Sequence, residues 1–371
     1  MDGHHASGHH AGTVPPANVG AARRALGDIK NLVGNMRSAY GKPPSRRTGD
    51  TGGMLPDRSA ASSTTAAAPA ARFGRSLSLS DASSRPAAVP ASAPSSSTQP
   101  LPDIDSVDKR NPLAASEYAV DIYKYFHLVE PQFLPARSYM KNQTEITPWM
   151  RAVLVDWLVE VHLKFKLMPE TLFLTINLID RFLAAVPVRR KELQLVGVTG
   201  MFLASKYEEI WAPEVRDFVY ICDKAYSRKQ ILDMEKKMIN TLAFKVSLPT
   251  SFHFFHRYIK AAEAEDKRLP LVVSYLVELA LVEYDLLQYS YSEVAAAATV
   301  LGLRALQLGT SEWPIAAEKH SGYTLEALKP CIAALAEVAR KASSPDAEMK
   351  AVRKKYSSSD FGAIAKMPLQ F

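Results

Sequence analysis

The stretch MRAVLVDWLVEVHLKFKLMPETLFLTINLIDRFL, from Met150 to Leu183, decides the fold, because it is dense in apolar side chains and nearly empty of reactive ones. If residues 150–161 of this stretch form a helix, that helix is apolar on two sides. One side carries residues at the spacing i, i+3, i+4 and i+7, namely Met150, Val153, Leu154, Trp157 and Val161. The other side carries Ala152, Val155, Leu158 and Val159. A helix needs only one apolar side to sit on a core, so the second is either covered by another helix or left as a shallow groove for a partner.

The periodicity is helical almost throughout from residue 113 onward, and no convincing strand pattern is present. The predicted helices cover residues 114–127, 149–165, 169–185, 190–207, 213–222 and 228–243, and then 251–262, 269–286, 291–308, 323–340 and 345–355. Residues 247–250, SLPT, interrupt the pattern between these two sets. Each set contains a helix rich in small residues, which lets its neighbours approach closely. The sequence therefore predicts an all-α fold with two tandem five-helix bundles.

The first 110 residues have a different composition, rich in Ala, Ser, Pro and Gly and poor in large hydrophobes. Such a segment cannot bury enough apolar surface to offset its chain entropy, so we expect a disordered regulatory tail over residues 1–110. Residues 111–247 form the first bundle with a preceding helix, 248–365 form the second bundle, and 366–371 form a short end segment. Residues 1–100 carry 11 basic and 5 acidic residues, so most of the net charge of +7 belongs to the tail.

Several classes of function are not supported by the sequence. The bundles are close to neutral, which argues against nucleic-acid binding, and no apolar run is free enough of charge to indicate a membrane span. Cys222 and Cys331 have no partner at ligand spacing, so we expect no metal site and a reduced intracellular protein. No phosphate loop, kinase motif or zinc-protease motif is present, so we expect neither a cofactor nor a catalytic residue, and a protein that is not an enzyme.

The apolar stretch and two later segments resemble a known family. MRAVLVDWLVEVH and PETLFLTINLIDRFL resemble the signature of the cyclin box, and that of the B-type mitotic cyclins in particular. ASKYEEIWAPEVRDFVYICD at residues 204–223, and Met234 with Glu235, continue the match in register. The resemblance is strong from about residue 114 to 260 and weaker from 261 to 365. It implies two tandem cyclin boxes and a regulatory subunit that binds and allosterically activates a mitotic cyclin-dependent serine/threonine kinase.

The resemblance also implies the residues that contact the kinase. Lys206 and Glu235 match a lysine and a glutamate that hydrogen-bond the backbone around the kinase's regulatory helix in similar cyclins. Three residues would supply the apolar centre of the interface: Leu203, Ile239 and Phe244. Three more, on the helix before the first box, would divide between anchoring that helix and touching the kinase: Tyr118, Ile122 and Tyr125.

Two further sets of residues take roles from the same resemblance. The groove in which similar cyclins dock RxL-type substrates and inhibitors would be formed by Met150, Val153, Leu154, Trp157, Glu160 and Gln194. Val153 stands where the family usually has isoleucine. Arg151 and Asp180 would form a buried ion pair between adjacent helices, in a structural role.

The tail contains the sequence RRALGDIKN at residues 23–31, which fits the full destruction box of mitotic cyclins through Arg23, Leu26, Ile29 and Asn31. This motif predicts recognition by the anaphase-promoting ubiquitin ligase and degradation that permits mitotic exit. We expect the protein in nucleus and cytoplasm, depending on the cell cycle.

Two other classes of protein compete with this interpretation. A general transcription factor with tandem helical domains would need a basic face and usually a zinc ribbon, for which the neutral bundles and lone cysteines give no support. A cyclin that regulates a polymerase-directed kinase is the second alternative, and the destruction box favours the mitotic type instead.

Overall fold

The computed structural model describes residues 103–309 and 312–368. Within these ranges the chain forms α-helices, short 3₁₀ helices and turns, without a strand, so the predicted all-α fold is confirmed. The first box contains α2 to α6 after a preceding helix α1, and the second contains α7 to α11, followed by a short helix α12. Their bounds are α1 Ala119–Val129, α2 Pro148–Phe165, α3 Pro169–Ala185, α4 Leu193–Glu208, α5 Val215–Ile221, α6 Arg228–Thr241, α7 Ser251–Ala261, α8 Leu269–Val282, α9 Tyr291–Ala305, α10 Ile315–Ser321, α11 Leu325–Ser343 and α12 Ala351–Tyr356.

Helix α4 is the centre of the first bundle and packs against α2, α3 and α6. Two glycines allow the close approach. A Cβ atom at Gly197 would lie 2.7 Å from Leu154 Cδ1, and one at Gly200 would lie 2.8 Å from Ile179 Cγ1. Because real Cβ atoms do not come so close to a neighbour, larger side chains at these positions would push α2 and α3 away from α4.

Helix α9 has the equivalent place in the second bundle, where it packs against α7, α8 and α11. Its small side chains, from Ala295 to Ala298, are fully buried. A Cβ atom at Gly302 would lie 2.9 Å from Leu269 Cδ1, so this helix also depends on a glycine for its packing distance. The two helices rich in small residues are thus the central rods of their bundles.

Helix α12 packs between the two bundles, against α2 on one side and α8 on the other. Its first backbone N–H, at Ala351, donates to Asp156 Oδ1 on α2 at 2.8 Å. Lys355 Nζ is 2.6 Å from Glu278 Oε1 on α8, and both side chains are buried. Helix α2 is therefore covered by α4 on one side and by elements of the second bundle on another, which explains its two apolar sides.

The helix boundaries differ from the predicted ones at several places. Helix α1 begins at Ala119 instead of residue 114, and α8 ends at Val282, after which Tyr284–Gln288 is a 3₁₀ helix. Helix α10 was missed, because seven residues between Pro314 and Gly322 give too little periodicity to recognise. Helix α12 is shorter than predicted, since the chain after α11 forms turns and bends before the helix begins at Ala351.

The structure also differs from the prediction that the disordered tail reaches residue 110. Ile104 is buried, and Asp105 Oδ1 is 2.5 Å from Arg257 Nη1 and 2.9 Å from Lys260 Nζ on α7. Residues 103–110 are therefore held on the second bundle by buried ionic contacts that composition alone cannot reveal. The rest of the predicted tail, with the destruction box, lies outside the described residues. In the part of the chain that the structure describes, no helix is both long and apolar enough to cross a lipid bilayer.

Candidate functional site

Lys206 and Glu235, which the sequence places 29 residues apart, form an ion pair on the surface of the first bundle. Lys206 lies in the last turn of α4 and Glu235 in the middle of α6, and the packing of these helices brings the two side chains together. The Lys206 ammonium also lies 4.5 Å from the centroid of the Phe202 ring. The lysine side chain is 44% exposed, so its donors remain accessible to a partner.

Apolar side chains lie on the same two helices and just beyond them. Leu203 and Ile239 are half-buried, whereas the Phe244 residue is 67% exposed. Ala243 and Phe244 both have positive φ, 51° and 58°, in the turn that follows α6. A bulky residue in the left-handed region is uncommon and costs conformational energy, and here the turn presents an aromatic ring to solvent.

Sequence reasoning missed three exposed apolar residues that follow Lys206 in the chain. Tyr207 is 50% exposed, and Ile210 and Trp211 in the loop after α4 are 91% and 90% exposed. A single exposed apolar residue is ordinary, but several large ones close together indicate a surface that binds a partner. The sequence does show two large apolar residues, Ile210 and Trp211, between two predicted helices. A loop has no periodicity, however, so the pattern could not tell whether their side chains are buried or exposed.

The neighbouring glutamates have different roles. Glu209 Oε1 accepts the Met168 N–H at 2.8 Å and the Thr171 hydroxyl at 2.5 Å, so Glu209 holds the start of α3. Glu208 is half-buried, and burial together with the charges of Glu170 and Glu209 raises the pKa of its carboxyl. Glu209 is therefore a structural residue.

Helix α1 is anchored to the second box through its contacts with α7. The Tyr123 hydroxyl donates to the His253 carbonyl at 2.9 Å, and the Phe126 ring packs edge-on against Phe254 with centroids 6.2 Å apart. Tyr118 and Tyr125, on another face of the helix, are 64% and 59% exposed. Ile122, the third predicted residue on this helix, is half-buried.

The residues of the predicted docking groove are mostly covered. Met150, Val153 and Trp157 are 6%, 4% and 7% exposed. Leu154 and Gln194 are also buried, and Leu154 lies against Gly197 of α4. Glu160 at the rim is half-buried and lies 3.4 Å from Lys354 Nζ of α12. The groove stays a prediction, because a ligand can dock there only if these buried side chains become accessible to it.

Arg151 and Asp180 form a bidentate pair deep inside the molecule. Arg151 Nε and Nη2 donate to the two carboxylate oxygens of Asp180, each at 2.7 Å, and the Tyr139 hydroxyl donates to Oδ1 at 2.7 Å. The remaining Arg151 nitrogen, Nη1, donates to the carbonyls of Leu281 and Val282 at 2.9 and 3.1 Å. This arginine of the first box therefore also donates to two backbone carbonyls at the end of α8 in the second box.

Two titratable groups on α2 are strongly shifted by burial. The pKa of Asp156 rises to about 7 because desolvation, with a contribution from Glu160, outweighs the hydrogen bonds from the start of α12. The pKa of His162 falls to about 4, chiefly through desolvation and also through the charge of Lys355. Neither group belongs to a catalytic arrangement, since Asp156 accepts from Ala351 N and His162 Nε2 contacts the Met168 carbonyl. Among residues 103–309 and 312–368, no group of three metal-binding side chains is close enough to hold an ion.

Two family models match the chain. The model described as Cyclin, N-terminal domain matches residues 121–247, and the one described as Cyclin, C-terminal domain matches residues 249–370. Together with the two five-helix bundles, these matches define a protein of the tandem cyclin-box class.

Three relatives identify the family further. Cyclin-B2-4 of Arabidopsis thaliana is 49% identical over 71% of this chain and 61% of its own length. Cyclin-B2-1 of Oryza sativa subsp. japonica is 47% identical over 71% of this chain and 62% of its own length. G2/mitotic-specific cyclin-2 of Medicago sativa is 47% identical over 71% of this chain and 79% of its own length. The chain belongs to the cyclin family, and the relatives it resembles include B-type cyclins.

The alignment covers about three fifths of the length of the first two of these relatives. Among solved structures, a viral cyclin from herpesvirus saimiri is similar with a TM-score of 0.53 and 18% identity, covering 59% of this chain and 95% of the viral one. At that identity the likeness concerns the fold alone.

Proposed function

We propose that this chain is a regulatory subunit, and not an enzyme, that binds and activates a mitotic cyclin-dependent serine/threonine kinase. The observation that carries the proposal is the exposed Lys206–Glu235 pair, joined by the exposed Ile210 and Trp211, which follow Lys206 in the chain, and by the exposed Phe244 in the turn after α6. A surface that binds another protein typically has an apolar centre, with a few charged side chains that can hydrogen-bond the backbone of the partner. The relatives of the chain are named as G2/mitotic-specific and B-type cyclins, which supports the proposal.

The proposed mechanism is allosteric. A cyclin-dependent kinase has an inactive state in which the lysine–glutamate pair that orients the ATP phosphates is broken, and activation restores that pair. A subunit that binds only the active arrangement shifts the equilibrium toward it by its difference in affinity for the two states. In this proposal Lys206 and Glu235 fix the position of the kinase's regulatory helix, and the apolar side chains supply most of the contact area.

The binding surface can be located by amide hydrogen exchange of the chain alone and in complex with the kinase. The expected result is slower exchange in residues 206–214 and 239–246 on binding, because both segments contain exposed side chains that the kinase would cover. Residues 325–343 of α11 provide an internal reference within the second box. Slower exchange confined to α11, with residues 206–214 unchanged, would contradict the proposed surface.

A second part of the proposal concerns recruitment. RxL-type substrates or inhibitors would bind along Met150, Val153 and Trp157, with Glu160 receiving the arginine. The Glu160–Lys354 pair would have to break for this, so Glu160→Gln should weaken an RxL peptide while leaving kinase activation intact. Equal affinity for the variant would contradict the role of Glu160.

The third part concerns removal of the protein. Arg23, Leu26, Ile29 and Asn31 fit a destruction box for the anaphase-promoting ubiquitin ligase, and the protein would act in nucleus and cytoplasm according to the cell-cycle stage. Alanine at Arg23 and Leu26 should lengthen the half-life of the protein at mitotic exit in a cycloheximide chase. The matched control is alanine at Arg46 and Leu55, which lie outside the motif. Unchanged turnover of the Arg23 and Leu26 variant would reject the motif.

A further inference from the structure

A cavity of about 300 Å³ lies between the two bundles. It is bounded by α2 of the first box, by the ends of α8 and α11 of the second, and by the segment that leads into α12. Its apolar wall includes Ala152, Leu279, Val282, Val338 and Val352. The Trp149 indole lies at this cavity and is held by a hydrogen bond from Nε1 to Glu348 Oε2 at 2.7 Å. A volume of this size lies at the small end of the range for ligand sites and suits one or two side chains.

The polar side chains around the cavity are mostly acidic. Asp156, Glu283, Asp285 and Glu348 line it, against a single lysine, Lys341. Asp156 and Glu348 already accept hydrogen bonds from Ala351 and Trp149. Within the described part of the chain, the carboxylates of Glu283 and Asp285 make no hydrogen bond or ion pair. Two acidic groups without a partner beside an apolar wall fit a ligand that is both apolar and cationic.

The cavity is distinct from the predicted RxL groove. Trp149, Ala152 and Asp156 are spaced i, i+3 and i+7, so they share one face of α2. Met150, Val153 and Trp157 each follow one residue later, about 100° around the helix. The cavity is therefore on a separate face that looks toward the second box.

We propose that this cavity binds a short peptide segment of a partner protein, in which an apolar side chain stands next to arginine or lysine. The apolar side chain enters the cavity between α2 and α8, and the basic side chains pair with Glu283 and Asp285. A second copy of this chain is a poorer occupant, because symmetric association would place the same acidic rims against each other. This inference goes beyond the proposed kinase activation and does not depend on it.

The four tryptophans of the chain allow a site-specific test. Trp149 lies at the cavity, Trp157 belongs to the predicted groove, Trp211 lies on the proposed kinase surface, and Trp313 is in the second box. The full chain, labelled with ¹⁵N at the indole nitrogens, is titrated with the peptide Gly-Ser-Arg-Phe-Arg-Ser-Gly. The resonance of Trp149 is assigned by Trp149→Phe. The expected result is a saturable shift of the Trp149 resonance, with the other three unchanged.

A charge variant tests the acidic rim. Glu283→Gln with Asp285→Asn should raise the Kd of the peptide at least about tenfold, since charge-assisted hydrogen bonds are lost. Neither carboxylate holds the fold together, so this variant should remain folded. The matched control, Glu263→Gln with Glu265→Gln, removes the same charge at an exposed turn of the second box and should leave the Kd within about twofold.

Four outcomes would overturn the proposal. The first is a shift of Trp157 with Trp149 unchanged, which would place the peptide in the predicted groove. The second is no shift of any tryptophan, and the third is equal binding of a peptide with glutamate in place of both arginines. The fourth is a Trp149 resonance that moves on dilution of the protein alone, which would identify a second copy as the occupant.

Discussion

At the residue scale, Arg151 holds both boxes together with one guanidinium group. Nε and Nη2 bind Asp180 within the first box, while Nη1 binds the Leu281 and Val282 carbonyls at the end of α8. The residue is fully buried, so each of these bonds is protected from water. The free-energy gain of a buried pair over an apolar replacement is small, but removal of one partner leaves a charge buried without compensation.

We therefore expect Arg151→Met to lower the free energy of unfolding by roughly 3–5 kcal/mol, because Asp180 and two carbonyls lose their donor. Equilibrium unfolding in urea, followed by circular dichroism, measures this loss. Arg189→Met is the matched control, since Arg189 forms an exposed pair with Glu192 and its removal should cost far less than that of Arg151. Equal losses for the two variants would contradict the structural role of Arg151.

The interaction between Arg151 and Asp180 could be expected from the sequence, since the family resemblance places both residues. The bonds to α8 could not, because they depend on how the second box is docked. The same holds for Asp105, whose pairing with Arg257 and Lys260 joins residues more than 150 positions apart. Long-range polar contacts leave no periodic trace in a sequence.

At the element scale, the short helix α12 is stabilised by residues of other helices. Its own N-cap residue, Lys350, makes no side-chain cap, and Asp156 of α2 accepts the Ala351 N–H instead. Near its end, Lys355 and the Tyr356 hydroxyl both bind Glu278 Oε1 of α8, at 2.6 and 2.8 Å. A six-residue helix is unstable alone, so its boundaries follow from these tertiary contacts. That is why sequence periodicity placed it inaccurately.

The docking of α12 should depend on pH through Asp156. Its pKa is about 7 in the folded protein and 3.8 ordinarily, so folding favours the protonated form. The resulting stability is complete below about pH 4 and is lost as the pH rises through 7. Relative to Asp156→Asn, the wild type should lose up to about 1.4 kcal/mol per pH unit between pH 5 and 7.

Urea unfolding at pH 5, 6, 7 and 8 measures this difference, and amide exchange of Ala351–Tyr356 should report it locally. His162 titrates in both proteins, so its contribution cancels in the comparison. The control is Asp121→Asn, which removes an exposed carboxylate on α1 and leaves Asp156 in place. Parallel profiles for the wild type and Asp156→Asn would contradict the shifted pKa.

At the scale of the whole molecule, the tandem bundles and their central helices could be predicted from helical periodicity and from the small residues of those central helices. The candidate kinase surface could be predicted only in part. Lys206 and Glu235 were recognisable from the resemblance, whereas the exposure of Ile210 and Trp211 depends on a loop with no repeating pattern. The inter-box cavity was not foreseeable, because its walls come from helices α2, α8 and α11, far apart in the chain.

The central claim is that the surface around Lys206 and Glu235 activates a kinase, and activation by a double variant tests it most directly. Purified kinase is titrated with the wild type, with Lys206→Ala/Glu235→Ala, and with Lys329→Ala/Glu326→Ala, an exposed pair on α11. Phosphorylation of a histone substrate is the readout, and circular dichroism verifies that all three proteins are folded. We predict that the Lys206/Glu235 variant fails to activate the kinase, while the α11 variant activates it like the wild type. Undiminished activation by the folded Lys206/Glu235 variant would contradict it.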